Sequence, residues 1–195
     1  MRSKDDHKRE AILEAAVQVA NDEGLANVSM SKIARTAGVS PATLYTYFEG
    51  KDDLLRAAFL QAKRSMLERC CQGIDGSSVS TAREIESAVR SFCKNTLGYL
   101  RESTSEFLFV EQAVASPLVD DSVAQRSQDW ERPAVELFER GSALGVLRDA
   151  PPALLIGFCM YPIEQVYKET LHASSLLAPV DYELVFDMCW NAIRR

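Results

Sequence analysis

Apolar residues recur at helical spacing along almost the whole chain, and no segment keeps the period-two alternation of a half-buried strand. That periodicity, with its stops and starts, confines the chain to an all-α fold of about nine helices. Ile12, Ala16, Val19 and Ala20 form a stripe, widened by Leu13 and Val17, that predicts a helix over 4–23, and Gly24 supplies its C-terminal stop. Ser29 caps a short second helix that ends at Gly38. Ser40-Pro41 opens a third, with a capping hydroxyl followed by proline at the first helical position, running to about Phe48. Lys51-Asp52-Asp53 starts a fourth, with acids where the helix dipole favours them. Further helices are expected at 81–100, 103–115, 121–140, 153–174 and 181–194. Residues 72–80, with two Gly and three Ser, read as a flexible connection.

The chain has 195 residues, of which 47% are apolar and 26% charged. That is enough apolar content for a buried core. No apolar run reaches the roughly 18 residues of a membrane span, and no hydrophobic stretch follows the N-terminal charges, so cytoplasm is the expected location. Net charge is −6, but unevenly spread. Residues 1–72 carry 11 Lys and Arg against 10 Asp and Glu, whereas residues 73–195 carry 11 against 18. A basic tip around Arg2, Lys4, Lys8 and Arg9 suits phosphate, and the acidic remainder should face away from it. Five cysteines without a C-x-x-C read as buried thiols in a reducing compartment. The alternative is a redox-sensing thiol, with Cys70 and Cys71 as candidates. His7 and His172 are too isolated to suggest a metal site.

The most informative stretch is 29–51, SMSKIARTAGVSPATLYTYFEGK. Two short helices crossing steeply through a tight turn need a small residue at the crossing and a turn residue tolerant of positive φ. Ala34 and Gly38 answer those needs. Ile33, Ala37, Val39 and Leu44 would pin the pair to its support. Pro41, Ala42, Thr43 and Thr46 leave the second helix small or polar outside, fit for a major groove.

Over residues 8–60 the chain resembles the tetracycline-repressor (TetR) family of transcription regulators, from KREAILEAAVQVANDEG through IARTAGVSPATLYTYFEGKDDLL. The resemblance implies a DNA-binding domain over 1–50 and a ligand-binding and dimerisation domain over 51–195, with 51–72 as the connecting helix. It implies a phosphate contact at Ser29, and groove-edge or backbone contacts at Ser31 and Lys32. Base reading falls to Pro41, Ala42 and Thr46, and phosphate contacts to Thr43, Tyr45, Tyr47 and Lys51. The final two helices resemble the pair through which such proteins dimerise. Met30 departs from the pattern, and no Arg or Gln lies on the reading face, which leaves specificity to thymine methyls, water and DNA shape.

In the ligand half, large side chains interleave with polar ones, as in a small-molecule pocket. Candidate lining residues are Phe107, Phe109, Glu111, Gln112, Trp130, Phe158, Tyr161, Glu164 and Gln165. Glu111 and Glu164 sit in apolar runs, either facing a ligand, paired with an arginine such as Arg90 or Arg101, or turned to solvent. The last two helices are apolar on more than one face, so Leu155, Val166, Leu184, Met188, Cys189 and Ile193 are expected at a dimer interface. The functional expectation is a homodimeric regulator, more often repressor than activator. It binds double-stranded inverted-repeat operator DNA, is released by a small-molecule effector, and has no cofactor and no membrane partner. The competing reading is a helical ligand-binding or adaptor protein without operator binding. An enzyme is disfavoured, since no nucleophile–His arrangement, phosphate loop or metal-ligand spacing is present.

Overall fold

The computed structural model describes residues 4–175, 177 and 179–195; Arg2 and the side chain of Lys4, part of the expected basic tip, lie outside that set. Among the described residues there are nine α-helices: α1 (Lys4–Glu23), α2 (Met30–Thr36), α3 (Pro41–Tyr45), α4 (Lys51–Cys70), α5 (Ala82–Glu102), α6 (Thr104–Val114), α7 (Asp121–Ala143), α8 (Pro152–Thr170) and α9 (Tyr182–Ile193). A 3-10 turn over Leu25–Asn27, not foreseen from periodicity, joins α1 to α2. The described residues hold no strand; one isolated antiparallel bridge pairs Leu147 with Arg194.

Packing groups these helices into two compact units. The first takes the chain to Ser65 together with Ser103–Gln128; the second takes Met66–Glu102 and Asp129–Arg195. Packing thus cuts the chain elsewhere than at residue 50, because α6 and most of α4 belong with the N-terminal helices.

In the first unit the α1 stripe is buried as its spacing requires: Ile12, Ala16 and Ala20 are fully enclosed, with Ile33, Ala34, Leu44 and Leu54. Polar ties then fix α6 and the segment after it to their neighbours. Asn21 of α1 donates to the Ser105 carbonyl (2.8 Å) and hydroxyl (2.9 Å), and accepts from Gln112 at 3.0 Å. Arg56 of α4 donates to the Leu118 carbonyl at 3.3 Å and to Asp120 at 3.2 Å.

The second unit is built on α5, α8 and α9 packed against one another. The start of α5 is a reciprocal cap. Thr81 accepts from the Glu84 N–H (3.3 Å), while the Glu84 carboxylate accepts from the Ser80 and Thr81 N–H groups (both 2.9 Å). These bonds hold Glu84 below the usual carboxylate range. Phe92 meets Phe138 of α7 edge-on, with 5.8 Å between ring centres, a favoured aromatic geometry. Arg90 bonds Glu183 (3.1 Å) and Asp187 (2.6 Å), tying α5 to α9.

The segment 72–80, expected to be flexible, is pinned instead. Asp75 accepts from the Ser77 N–H and hydroxyl, and Arg140 of α7 donates to the Val79 carbonyl at 3.1 Å. Gly76 lies so close to α7 that a Cβ there would stand 2.5 Å from the Leu137 nitrogen. Gly76→Ala is expected to destabilise the protein by about 2 kcal/mol through overpacking against backbone. Gly98→Ala, in open space within α5, is expected to stabilise it by roughly 0.5–1 kcal/mol. Thermal melts of both variants check the contrast.

Candidate functional site

The candidate site is the surface around α3. Its scaffold follows from local chemistry. The Ser29 hydroxyl accepts from the Lys32 N–H at 3.4 Å and caps α2, the usual role of a serine at that position. At the other end Gly38 takes φ +67°, its N–H bonds the Arg35 carbonyl (3.3 Å), and the Val39 N–H reaches back to the Ala34 carbonyl (2.9 Å). This pair of bonds terminates α2 and turns the chain sharply. Ser40 then caps α3 by accepting from the Thr43 N–H at 3.2 Å. Pro41 takes the first helical position, where its missing N–H costs nothing. Ala34 and Leu44 are completely buried.

What remains outside is the face expected to read DNA. Pro41, Ala42, Tyr45 and Thr46 are exposed, Tyr45 by 59%, and Thr43 and Tyr47 are half-buried. The Thr46 hydroxyl donates to the Thr43 carbonyl at 2.6 Å, so it can offer an outside partner only acceptor lone pairs. Ser31 is exposed on α2, and Lys51 stands half-buried at the first residue of α4.

Lys32 has partners within its own unit. Its ammonium pairs with Glu23 and donates to the Asn27 carbonyl at 3.0 Å, closing the end of α1 and the 3-10 turn. Two residues of α1 also come to the site: Asp5, which the sequence did not single out, and Arg9 of the expected basic tip. The Tyr47 hydroxyl donates to Asp5 at the start of α1, a bond that raises the tyrosine pKa. The Arg9 guanidinium stacks 5.4 Å from the Phe48 ring centre, within reach of the ring's negative face. Both depend on the start of α1 lying beside the segment that follows α3, which the local pattern around residue 45 does not encode.

The expected ligand residues fall in both units. Phe107 and Phe109 are buried in the first unit, and Gln112 is spent on Asn21. Glu111 is half-buried and Glu164 buried, and each has a polar or electrostatic partner. Arg90 serves Glu183 and Asp187, while Arg101 lies 5.2 Å over the Tyr182 ring. Trp130 is half-buried, and Gln165 is exposed and donates to Glu169 at 3.3 Å. Phe158 and Tyr161 are exposed on α8, Tyr161 by 71%.

Of the expected dimer residues, Leu155, Cys189 and Ile193 are buried within the second unit, and Val166 is half-buried. The chain's own core uses that stripe, so those three present no surface to a partner. Leu184 and Met188 are exposed, Met188 by 65%. With them in exposure stand Leu154, Phe158 and Tyr161, which line an open apolar groove of about 400 Å³ on α8 with Ala153, Gly157 and Pro162.

A capped, tightly turned helix pair displaying a short helix of small and polar side chains is the helix-turn-helix of a DNA-binding transcription regulator. Comparison with known proteins agrees. Residues 12–58 match the family described as bacterial regulatory proteins, tetR family, and residues 85–194 match the tetracyclin repressor-like C-terminal domain. The chain belongs to the TetR family of transcriptional regulators. It is 36% identical over 127 residues to the HTH-type transcriptional regulator BetI of Rhizobium meliloti (strain 1021), across 64% of this chain and 56% of that protein. It is 37% identical over 73 residues to the fatty acid metabolism regulator protein of Bacillus subtilis (strain 168), across 37% of each chain. The matched region thus spans about half or less of these relatives. A TetR family transcription regulator from Marinobacter aquaeolei VT8 superposes with TM-score 0.83 at 30% identity, covering 100% of this chain and 99% of that one. Among the described residues no helix is long and apolar enough to cross a membrane.

Lys32→Ala is expected to lower the melting temperature by a few degrees while leaving the salt dependence of duplex DNA binding unchanged. A shallower plot of log Kd against log salt for this variant would show that Lys32 reaches phosphate after all.

Proposed function

We propose that the chain is a homodimeric repressor that binds an inverted-repeat operator and leaves it when a small-molecule effector binds. The observation that carries the reading is a pair of exposed surfaces in one chain: the small, polar face of α3 and the apolar faces of α8 and α9. The first suits a major groove, where small side chains permit close approach and Thr46 can accept from the exocyclic amine of adenine or cytosine. Tyr45, Tyr47, Thr43 and Lys51 surround it as phosphate contacts that set register. Ser29, at the start of α2, and Ser31 lie at its edge.

The second surface is double-sided by sequence. Along α8, Leu155, Cys159 and Ile163 turn inward while Leu154, Phe158 and Tyr161 recur outward at spacings of three and four. On α9, Phe186, Cys189 and Ile193 turn inward, while Leu184 and Met188, four apart, turn outward. A second copy covering both outward stripes removes them from water and presents two α3 helices about a two-fold axis.

Effector release follows if a ligand prefers the arrangement that DNA does not. In this reading α4 carries the connection from the reading unit. The ties Asn21–Ser105 and Asn21–Gln112 add α6 to the moving body, and Arg56–Asp120 adds the segment after it, so displacing α6 and that segment would carry α1 and α4 with them.

Footprinting on the DNA upstream of the chain's own gene is the direct test; a single unrepeated site bound by monomer would defeat the proposal. Met188→Glu together with Leu184→Asp is expected to give monomers in sedimentation runs and to weaken operator binding at least tenfold. Lys51→Ala is expected to weaken binding to all sequences and lower the salt slope by roughly one unit per subunit. Asp5→Asn is expected to strengthen binding to specific and unrelated duplex alike by roughly three- to tenfold, because a carboxylate beside the phosphate path is lost. Thr46→Ala is expected to change base preference with the salt slope unaltered.

A further inference from the structure

The first unit carries a cleft that the DNA-reading surface does not use. It has a volume of about 390 Å³ and is walled by α1, α4 and the first turn of α6, all within that unit. Its lining shares no residue with α3 or with the apolar groove on α8. The floor is apolar. Leu13 and Val17, four apart on α1, are joined by Ala58 and Ala62, four apart on α4, and all four are buried. A spacing of four keeps each pair on one helix face, and the two alanines, with only a methyl group each, leave the space open. The rim is polar. Glu14 and Gln18, each one residue beyond a floor residue of α1, stand exposed at it, as does Gln61 of α4. α6 contributes Ser105 and Glu106.

We propose that this cleft is a binding site for an aliphatic primary amine, with the alkyl chain on the Leu13–Val17–Ala58–Ala62 floor and the ammonium group at the Glu14–Glu106 rim. An apolar bed with a few polar groups to fix orientation is the usual make-up of a small-ligand site. The choice of a cation follows from the lining. The first-turn N–H groups of α6 taken alone would favour an anion. Glu106 already stands in that turn, however, and Glu14 shares the cleft, while among the described residues no basic side chain lines it. An anion would therefore meet two carboxylates with no opposing charge.

The choice of a primary amine follows from hydrogen bonding. Its ammonium has three N–H donors, as a lysine does, and the carboxylates, the Gln18 and Gln61 carboxamide oxygens and the Ser105 hydroxyl are acceptors. A quaternary ammonium has no N–H to donate, and no aromatic ring is among the described lining residues to receive it. Glu106 has a polar or electrostatic partner of its own, so recognition turns chiefly on Glu14. The α6 wall is held in advance, because Asn21 of α1 donates to the Ser105 carbonyl at 2.8 Å and to its hydroxyl at 2.9 Å. A wall fixed before binding lowers the ordering cost of holding a small ligand.

The test titrates pentylammonium into the isotope-labelled full chain, without DNA and at fixed ionic strength, and follows the backbone amide resonances. Saturable shifts are expected at residues 13–18, 58–62 and 105–106. Glu14→Gln, which keeps the side-chain shape at an exposed position, is expected to weaken binding by about tenfold or more through loss of a charge-assisted hydrogen bond. Pentyltrimethylammonium and pentanoate at the same concentrations are expected to leave those resonances in place. The proposal is overturned if pentylammonium gives no saturable shifts there, if either control binds as tightly, or if Glu14→Gln binds with unchanged affinity. Because no DNA is present, the result is independent of operator binding, and the shift map of the unaltered protein decides the matter even where the variant does not fold.

Discussion

The reading surface depends on how closely α2 and α3 can approach. Ala34 presents only a methyl group and is fully buried, and its carbonyl accepts the bond that ends α2. A larger side chain there would push α3 away from its support, and a residue other than glycine at 38 would strain the turn. Leu44 and Phe48 anchor α3 from the inside, so that Pro41, Ala42, Tyr45 and Thr46 are left facing out. The exposed chemistry is thus a consequence of what the core needs from the other side of a very short helix.

That helix pair is held by more than its own neighbours. α6, remote in sequence, enters the same unit and bonds to α1 through Asn21 and Gln112, while Arg56 of α4 ties the segment that follows α6. Hydrogen bonds of this kind contribute modestly to stability, on the order of 1 kcal/mol each. Their greater effect is geometric, since they make the reading head and α6 a single body. Asp5 adds a local counterweight. Its carboxylate holds the Tyr47 hydroxyl.

In the second unit the apolar content exceeds what one chain can enclose. α8 and α9 each send one stripe into the core and leave another in water, which is costly for side chains the size of Tyr161, Phe158 and Met188. The same packing brings three cysteines from separate helices into one place. Apolar character explains their burial.

Sequence by itself determined the helices, their caps and the reading motif. Each of these rests on interactions within a few residues: hydroxyl caps at Ser29 and Ser40, a positive φ at Gly38, and apolar spacing along α1 and α4. It also carried the resemblance, because 29–51 is a local pattern. Tertiary structure decided what each side chain is for. Lys32 and Gln112 are structural ties, Phe107 is core, and the inward stripe of α9 is Cys189 and Ile193 while Leu184 and Met188 face out. The segment 72–80 is held because Gly76 meets the α7 backbone and Arg140 bonds Val79, contacts made with residues some sixty positions away. Periodicity marks an apolar stripe but not which of two stripes is buried, since that depends on where the neighbouring helix lies. A polar side chain, likewise, reveals its role only through the partner that folding brings to it.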